Sequence, residues 1–325
     1  MNNKRKILIT CALPYANGPI HLGHMLEHIE ADIYSRFQKM QGHDCLFICA
    51  DDTHGTPIMI GAQKAGLTPD QYILKYHNEH THDFKRFNIA FDEYGSTNSE
   101  SNKKLCEFFF SKMKEKNDIL KKPIDQLYCT HDQMFLPDRF VKGTCPKCKA
   151  KDQYGDNCDI CSAAYSPNDL IDPECSICGT KPIIKSSEHV FFKLNNYKNY
   201  LMSWLPEHTG LETSKKMLEW FNDDLRDLDI SRDAPYFGFE IPGETSSETG
   251  LKKYFYVWVD APMGYISTTE NYLNNQNRKL SEFWGADSNA EIYHFIGKDI
   301  VYFHTLFWPA FLKSADFKSD RKSVV

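Results

Sequence analysis

Cys11-Ala-Leu-Pro-Tyr-Ala-Asn-Gly-Pro-Ile-His-Leu-Gly-His24 follows the apolar run Ile7-Leu8-Ile9 and opens a segment with helical periodicity. Two histidines three residues apart, with a glycine between, therefore stand at a strand-to-helix junction. A helix start offers unpaired backbone N–H groups and the positive end of the helix dipole, which suits phosphate. Histidines placed there can stabilise charge developing on a phosphoryl group, so the stretch points to nucleotide chemistry. Neither a G-x-G-x-x-G string nor a Walker lysine loop occurs in the chain.

Working outward, residues 7–12 read as a buried strand. Leu22, Met25, Leu26, Ile29, Ile33, Phe37 and Met40 fall at helical spacing, and Gly42 ends that segment. Residues 46–50 form the next expected strand, and a strand–helix–strand unit predicts a right-handed crossover with parallel pairing. Thr68-Pro-Asp-Gln71 reads as a capping box with proline at the first helical position, starting a helix through about Phe87. This alternation fills residues 1–115 and resumes in 251–325. In the later zone the expected strands are 254–259 and 291–296. Asp299 is an expected N-cap, and 300–312 an apolar, buried helix kinked at Pro309. Lys322-Ser-Val-Val325 resembles the start of a further strand. Residues 116–250 break the rhythm with turn residues (Tyr154-Gly-Asp-Asn157, Asp172-Pro173, Pro242-Gly243) and short aromatic strands such as His189-Val-Phe-Phe192. They read as an insertion with its own small core. The fold class is α/β, a parallel sheet interrupted by an inserted domain.

The chain has 325 residues, 41% hydrophobic and 25% charged, with a formal net charge of -6. That balance excludes a bulk polyanion binder, so nucleic acid would be met by a local patch. Apolar runs fall far short of the roughly 18 residues of a membrane span. The basic start Met1-Asn-Asn-Lys-Arg-Lys6 leads straight into a strand, so no secretory signal is read. Six of the 11 cysteines form three C-x-x-C pairs, Cys145/Cys148, Cys158/Cys161 and Cys175/Cys178. Cys11, Cys45, Cys49, Cys106 and Cys129 read as small core residues. An odd total with clustered pairs argues for metal binding in a reducing compartment. Cys145-x2-Cys148-x9-Cys158-x2-Cys161 is a structural Zn2+ signature, whose four thiolates close a tetrahedral site. Cys175/Cys178 resembles half of a second knuckle set with no partner pair, so a single zinc is expected. Arg139, Lys142, Lys147, Lys149 and Lys151 form a modest basic cluster around the knuckle.

Four polar or glycine-bearing clusters each follow an expected strand: Leu13-Pro-Tyr-Ala-Asn-Gly18, Asp51-Asp-Thr-His-Gly55, Asp260-Ala-Pro262 and Gly297-Lys-Asp299. Ligands of open parallel sheets bind outside the carboxyl ends of the strands, so all four would line one crevice. Ala12, Leu13, Tyr15, Trp258, Ala261, Pro262, Tyr265, Ile300 and His304 would build a mostly apolar cup there. Asp52 offers it a carboxylate for an ammonium group, and aromatic walls suit a polarizable thioether.

Asp51-Asp-Thr-His-Gly-Thr-Pro57, Ile230-Ser-Arg-Asp-Ala-Pro-Tyr236, Tyr256-Val-Trp-Val-Asp-Ala-Pro-Met-Gly-Tyr265 and Phe295-Ile-Gly-Lys-Asp-Ile-Val-Tyr-Phe-His304 join the opening stretch. Together they resemble the class I aminoacyl-tRNA synthetases, and among them the methionyl-tRNA synthetase family, over essentially the whole chain. The resemblance implies a Rossmann-like parallel sheet split by a zinc-knuckle connective insertion. It implies activation of methionine by ATP to methionyl-adenylate, then transfer to the 3′-terminal adenosine of tRNA(Met). His21 and His24, with Gly23 between, would contact the ATP phosphates as catalytic histidines. Gly297 and Asp299 would meet ribose and adenine, the cup would hold methionine, and Mg2+ would accompany ATP in a cytoplasmic enzyme. The family's lysine-rich K-M-S-K-S signature and anticodon-binding domain are absent from these 325 residues. The resemblance thus implies an N-terminal catalytic part truncated before both. The alternative reading is a catalytically silent, zinc-bearing module that binds tRNA acceptor ends or a partner protein.

Overall fold

The apolar run at the start becomes β1 (Lys6–Cys11), buried from Ile7 onward, which leads through the histidine loop into α1 (Leu22–Met40) and back into β2 (Asp44–Asp51). The structure is a computed structural model and describes residues 4–319 except 156, 164, 223, 224 and 248, with the backbone of 322–324. Met1–Asn3 of the basic start, Asp156 of the turn-rich stretch and Val325 lie outside the described residues. After β2 come α2 (Thr56–Ala65), α3 (Pro69–Arg86), β3 (Glu93–Ser96) and α4 (Glu100–Glu115). The capping box is present: Gln71 N–H donates to Thr68 Oγ1 at 3.3 Å, and Thr68 N–H donates to Gln71 Oε1 at 3.0 Å.

The middle zone opens with β4 (Ile119–Cys129), β5 (Met134–Phe135), β6 (Val141–Thr144), β7 (Gln153–Tyr154), β8 (Ile171–Cys175) and β9 (Ile183–Phe192). β4 and β9 form a long antiparallel ribbon. At its far end Leu127, Met134, Leu136, Phe140, Val141 and Leu170 make a small separate core. The zone then continues with α5 (Lys198–His208), α6 (Leu211–Leu218), β10 (Leu228–Asp229), β11 (Ser231–Asp233) and β12 (Glu240–Thr245). The insertion has the small core expected of it, and its later helices pack elsewhere. Leu201, Trp204, Leu205 and Met217 of α5 and α6 bury in the main core, not in the small one.

β13 (Lys252–Phe255), α7 (Val257–Asn275), α8 (Ser281–Trp284), β14 (Glu291–Phe295), α9 (Trp308–Ser314) and β15 (Lys322–Val324) complete the chain. The central sheet has the order β15-β14-β1-β2-β3, and every pairing in it is parallel. Period-two alternation sends Ile7 and Ile9 to one face, with Met25 and Ala31 of α1 and Phe84 of α3. Leu8, Leu46 and Ile48 face the other side, against α4, α7 and α9.

Three expectations are corrected. The strand expected over 254–259 stops at Phe255, and β13 pairs antiparallel with β11 and β12, outside the central sheet. Tyr256 is the N-cap of α7 despite the β-favouring Val257-Trp-Val, because helical spacing lets Val259, Met263 and Ile266 share the main core. Asp299 is not an N-cap. Gly297 precedes one 3-10 turn (Lys298–Ile300), a π-helical turn follows at Phe303–Phe307, and Pro309 is the second residue of α9. The widened turn accommodates the proline that cannot donate to an i−4 carbonyl, in place of a kink within one helix. Finally, α1 turns most of its apolar stripe outward: Leu22, Leu26, Ile33, Phe37 and Met40 are exposed, whereas His28, Asp32, Ser35 and Gln38 are buried. That polar face is satisfied, for example by Ala90 N–H and Arg36 at Asp32.

The contact between β3 and α7 leaves no room for a side chain at Gly95, where a Cβ would lie 2.6 Å from Thr268 Oγ1. Gly95→Ala is therefore expected to destabilise the chain by about 1–3 kcal/mol in urea unfolding. Unchanged stability would contradict the seating of α7 on the sheet.

Candidate active site

The carboxyl ends of β1, β2 and β14 meet where the strand order reverses, and Ala12 N–H crosses to the Phe295 carbonyl at 2.9 Å. A cavity of about 1010 Å³ opens there, between the sheet, the start of α7 and the ribbon of the middle zone. It is lined by His21, Gly23, His24, Asp52, Gly297 and Asp299, and by Ala12, Leu13, Tyr15, Trp258, Ala261, Pro262, Tyr265, Ile300 and His304. The crevice expected from the sequence thus forms, with one change of route. Ala261 and Pro262 reach it from the first turns of α7, not from a sheet strand, while Asp260 of the same cluster lies buried behind them.

His21 is the N-cap of α1 in extended conformation, and its Nδ1 accepts from Gly23 N–H at 3.1 Å and His24 N–H at 3.4 Å. The His21 N–H returns a long bond to His24 Nδ1 at 3.5 Å, and the two rings stack with centroids 3.7 Å apart. Both Nδ1 atoms act as acceptors, so each ring carries its proton on Nε2 and can offer that N–H to a ligand. Burial, followed by the fields of His21 and His80, pushes His24 down to about 4, so its ring is neutral near pH 7. A Cβ at Gly23 would stand 3.0 Å from His21 Cε1, so this glycine keeps the cap ring in place.

In the cup, Trp258 stacks on Phe303 with centroids 3.9 Å apart and planes 7° from parallel. His304 Nδ1 donates to the Ile300 carbonyl at 3.0 Å, which leaves Nε2 to accept from Tyr265 O–H at 2.8 Å. Burial pushes His304 down to about 4, so the wall is uncharged. Asp52 Oδ1 is buried with no hydrogen-bond partner among the described residues. Burial, and after it the charge of Asp260, holds the Asp52 carboxyl well above the usual carboxylate range. An unpartnered acceptor in an apolar cup is costly, and an ammonium group is the ligand that relieves it.

The family described as tRNA synthetases class I (M) matches residues 7–325. The chain belongs to the class I methionine tRNA synthetases. The methionine–tRNA ligase of Bdellovibrio bacteriovorus is 62% identical over 325 residues, 100% of this chain and 46% of the relative. The chain therefore spans about half the length of that relative. A crystal structure of Mycobacterium tuberculosis methionyl-tRNA synthetase bound by methionyl-adenylate has a TM-score of 0.72 at 23% identity, covering 98% of this chain and 57% of that one. A second structure of that enzyme in complex with methionyl-adenylate matches equally well, over 56% of its chain. These structures share the fold of this synthetase-family chain.

Several residues of this family member escaped the sequence reading. Glu27, one turn beyond His24, lines the cavity and accepts the Ala12 N–H at 2.8 Å, and burial pushes its carboxyl up to about 8. Its i+3 spacing from His24 was the available signal. Asp260, inside a quoted cluster, is fully buried; its Oδ1 pairs with His54 Nδ1 at 3.0 Å, and Oδ2 has no partner among the described residues.

The cysteines gather into a second candidate metal site beside the expected one. Cys145, Cys148, Cys158 and Cys161 converge as expected, with ligand atoms all within 4.8 Å of one another. Cys129, Asp132, Cys175 and Cys178 form a second set within the same limit. Cys129 is therefore no mere core residue, and Asp132 replaces the cysteine that a C-x-x-C reading requires. The turns agree as well. Lys149 and Cys145, Ser162 and Cys158, and Gly179 and Cys175 each join N–H to carbonyl, at 3.1, 2.8 and 2.9 Å. Lys149, Ser162 and Gly179 all have positive φ. Asp132 N–H donates to Cys129 Sγ at 3.3 Å, as Cys161 N–H does to Cys158 Sγ at 3.4 Å. The donor sets fit Zn2+, for which thiolates and a carboxylate are ordinary ligands. Within the basic cluster, Lys142 pairs with Asp152 at 3.0 Å and Lys149 with the Pro146 carbonyl at 2.9 Å.

Metal analysis is expected to return two zinc ions per chain, falling to one when Cys175 and Cys178 are both replaced by serine. One zinc in the unaltered chain would remove the second set. The raised Asp52 carboxyl must ionise to hold an ammonium group. L-methionine is therefore expected to bind with proton release and to weaken as pH falls through that raised value. Titration calorimetry in buffers of different ionisation enthalpy checks this; binding without proton release would contradict it.

Proposed function

We propose that the chain is the catalytic core of a methionine–tRNA ligase. The observation that carries this reading is one cavity joining a histidine-capped helix start to a mostly apolar, aromatic-walled cup with an unpartnered buried carboxyl. Asp52 holds the methionine ammonium group, and Trp258, Tyr265 and His304 surround the thioether. The methionine carboxylate then faces the α-phosphorus of ATP. A carboxylate oxygen attacks phosphorus, the bond to the β-phosphate bridge breaks, and methionyl-adenylate and pyrophosphate form. His21 and His24 donate Nε2–H groups to the phosphoryl oxygens as charge builds, at the positive end of the α1 dipole. This step needs positioning and charge stabilisation, with no covalent protein intermediate.

Gly297 and Asp299 line the same cavity and would meet ribose and adenine, and Mg2+ enters with ATP. In the second step a ribose hydroxyl of the 3′-terminal adenosine of tRNA(Met) attacks the methionyl carbonyl, and AMP leaves. Residues 1–115 and 251–325 supply the two catalytic halves. Residues 116–250 form the insertion that meets the acceptor end. Zn2+ held by Cys145, Cys148, Cys158 and Cys161, and by Cys129, Asp132, Cys175 and Cys178, would fold the knuckle turns without taking part in the reaction. Among the described residues no helix is long and apolar enough to cross a membrane, and a cytoplasmic location fits the reduced thiols.

ATP–pyrophosphate exchange driven by methionine, and by no other standard amino acid, is the expected activity of the chain. Asp52→Ala should abolish it while zinc content and thermal unfolding stay unchanged. Exchange driven equally well by leucine or valine, or near-normal methionine affinity in Asp52→Ala, would overturn the assignment.

A further inference from the structure

One buried network lies outside the cup and the phosphate end but is bonded to the segments that carry both. His80 of α3 is 1% exposed. Its Nδ1 lies 2.6 Å from Asp51 Oδ1, and its Nε2 lies 2.7 Å from the Gly18 carbonyl. Asp51, itself fully buried at the end of β2, also faces His77 Nδ1 at 2.6 Å and accepts from Tyr94 O–H at 2.6 Å. A carbonyl oxygen can only accept, so His80 Nε2 carries a proton. Asp51 already receives the Tyr94 hydroxyl and faces a second imidazole. It therefore serves as an ionised acceptor, and His80 Nδ1 carries a proton too.

We propose that His80 is a positioning residue held as a buried imidazolium, clamping the Gly18 carbonyl so that the loop entering α1 presents His21 and His24 to phosphate. Ala16 of this loop also shares a small buried core with Tyr72 and Ile73 of α3. Tyr72 O–H donates to the Asn17 carbonyl at 3.3 Å, the weaker of the two bonds. Next to Asp51, the Asp52 N–H donates to the Pro14 carbonyl and the Ala16 N–H to the Asp52 carbonyl, both at 2.8 Å. One charged ring thus joins the strand end that carries the ammonium partner to the loop that carries the phosphate histidines. The groups facing it are Asp51 from β2, Tyr76, His77 and Glu79 from α3, Tyr94 from β3, and, through their fields, His24 and His28 from α1. Although burial opposes its charge, Asp51 raises His80 above the ordinary histidine value, while its bonds hold Asp51 low. The clamp is whole below that raised value and is released as pH rises through it.

The experiment has two arms, the second resting on the ligase reading. Nitrogen-15 spectra of histidine-labelled chain, with His80→Asn to assign the ring, should show both His80 nitrogens protonated at pH 7. A single protonated nitrogen would overturn the proposal, and this arm needs no activity. In calorimetry with a non-hydrolysable ATP analogue, His80→Gln should weaken binding by about ten-fold, the scale of a lost charged hydrogen bond. Methionine affinity should change by less than about two-fold. Binding of the analogue should weaken on the alkaline side in the unaltered chain and stay flat in His80→Gln. Equal losses for both ligands would mean a merely structural role and would sink the positioning claim. If the unaltered chain binds neither ligand, the ligase reading fails, and the spectra alone decide the state of His80. If the variants do not fold, the unaltered chain's spectra and its alkaline profile still decide it.

Discussion

The parallel pairing of β1 with β14 is the contact on which the site depends. It sets Ile7 opposite Glu291 and Cys11 opposite Phe295, bringing residues from the two ends of the chain into adjacent strands. At their carboxyl ends the backbones leave in different directions, and the gap between them is the cavity. The histidine loop comes from one strand and the Gly297–His304 segment from the other. Parallel strands require a crossover, and here the crossover from β3 to β14 contains the whole middle zone. Closing so long a loop adds only slowly growing entropy, so the cost falls mainly on the core that must hold the two strands together. That core includes fully buried Trp284, Trp308, Phe109 and Phe311.

The electrostatics of the site follow from the same burial. His24 and His304 are neutral because the cavity withholds water from them, and the tautomer of each is set by its hydrogen bonds. Asp52 and Asp260 pay the opposite penalty, two carboxyls raised by burial with one oxygen apiece lacking a partner among the described residues. A cavity with neutral donors at one end and an unmet carboxylate at the other is prepared for a ligand that is anionic on one side and cationic on the other. Methionine with ATP has that polarity.

Much of this was legible in the sequence where local chemistry decides structure. The capping box at Thr68, the histidine N-cap and the Cys145–Cys161 spacing each depend on residues within one or two turns of each other. The failures have a common cause, which is tertiary context. The apolar residues of α1 fall at helical spacing, yet Asp32 and Gln38 are buried while most of them are exposed, because Arg36, the Ala90 N–H and Arg5 give those polar groups partners. Val257-Trp-Val reads as strand, but the main core takes Val259, Met263 and Ile266 at helical spacing. The second ligand set was hidden because Asp132 is not a cysteine and Cys129 lies far from Cys175 in the chain; only the β4–β9 ribbon brings them together.

The proposed activity requires one crevice, built by both ends of the chain, to hold methionine and the adenylate phosphate side by side. A crystal structure with a non-hydrolysable methionyl-adenylate analogue tests it most directly. The account predicts the ammonium group on Asp52, the thioether against Trp258, Tyr265 and His304, and the phosphate beside His21 and His24. An analogue bound outside this cavity, or seated in it with its ammonium group turned away from Asp52, would contradict the account.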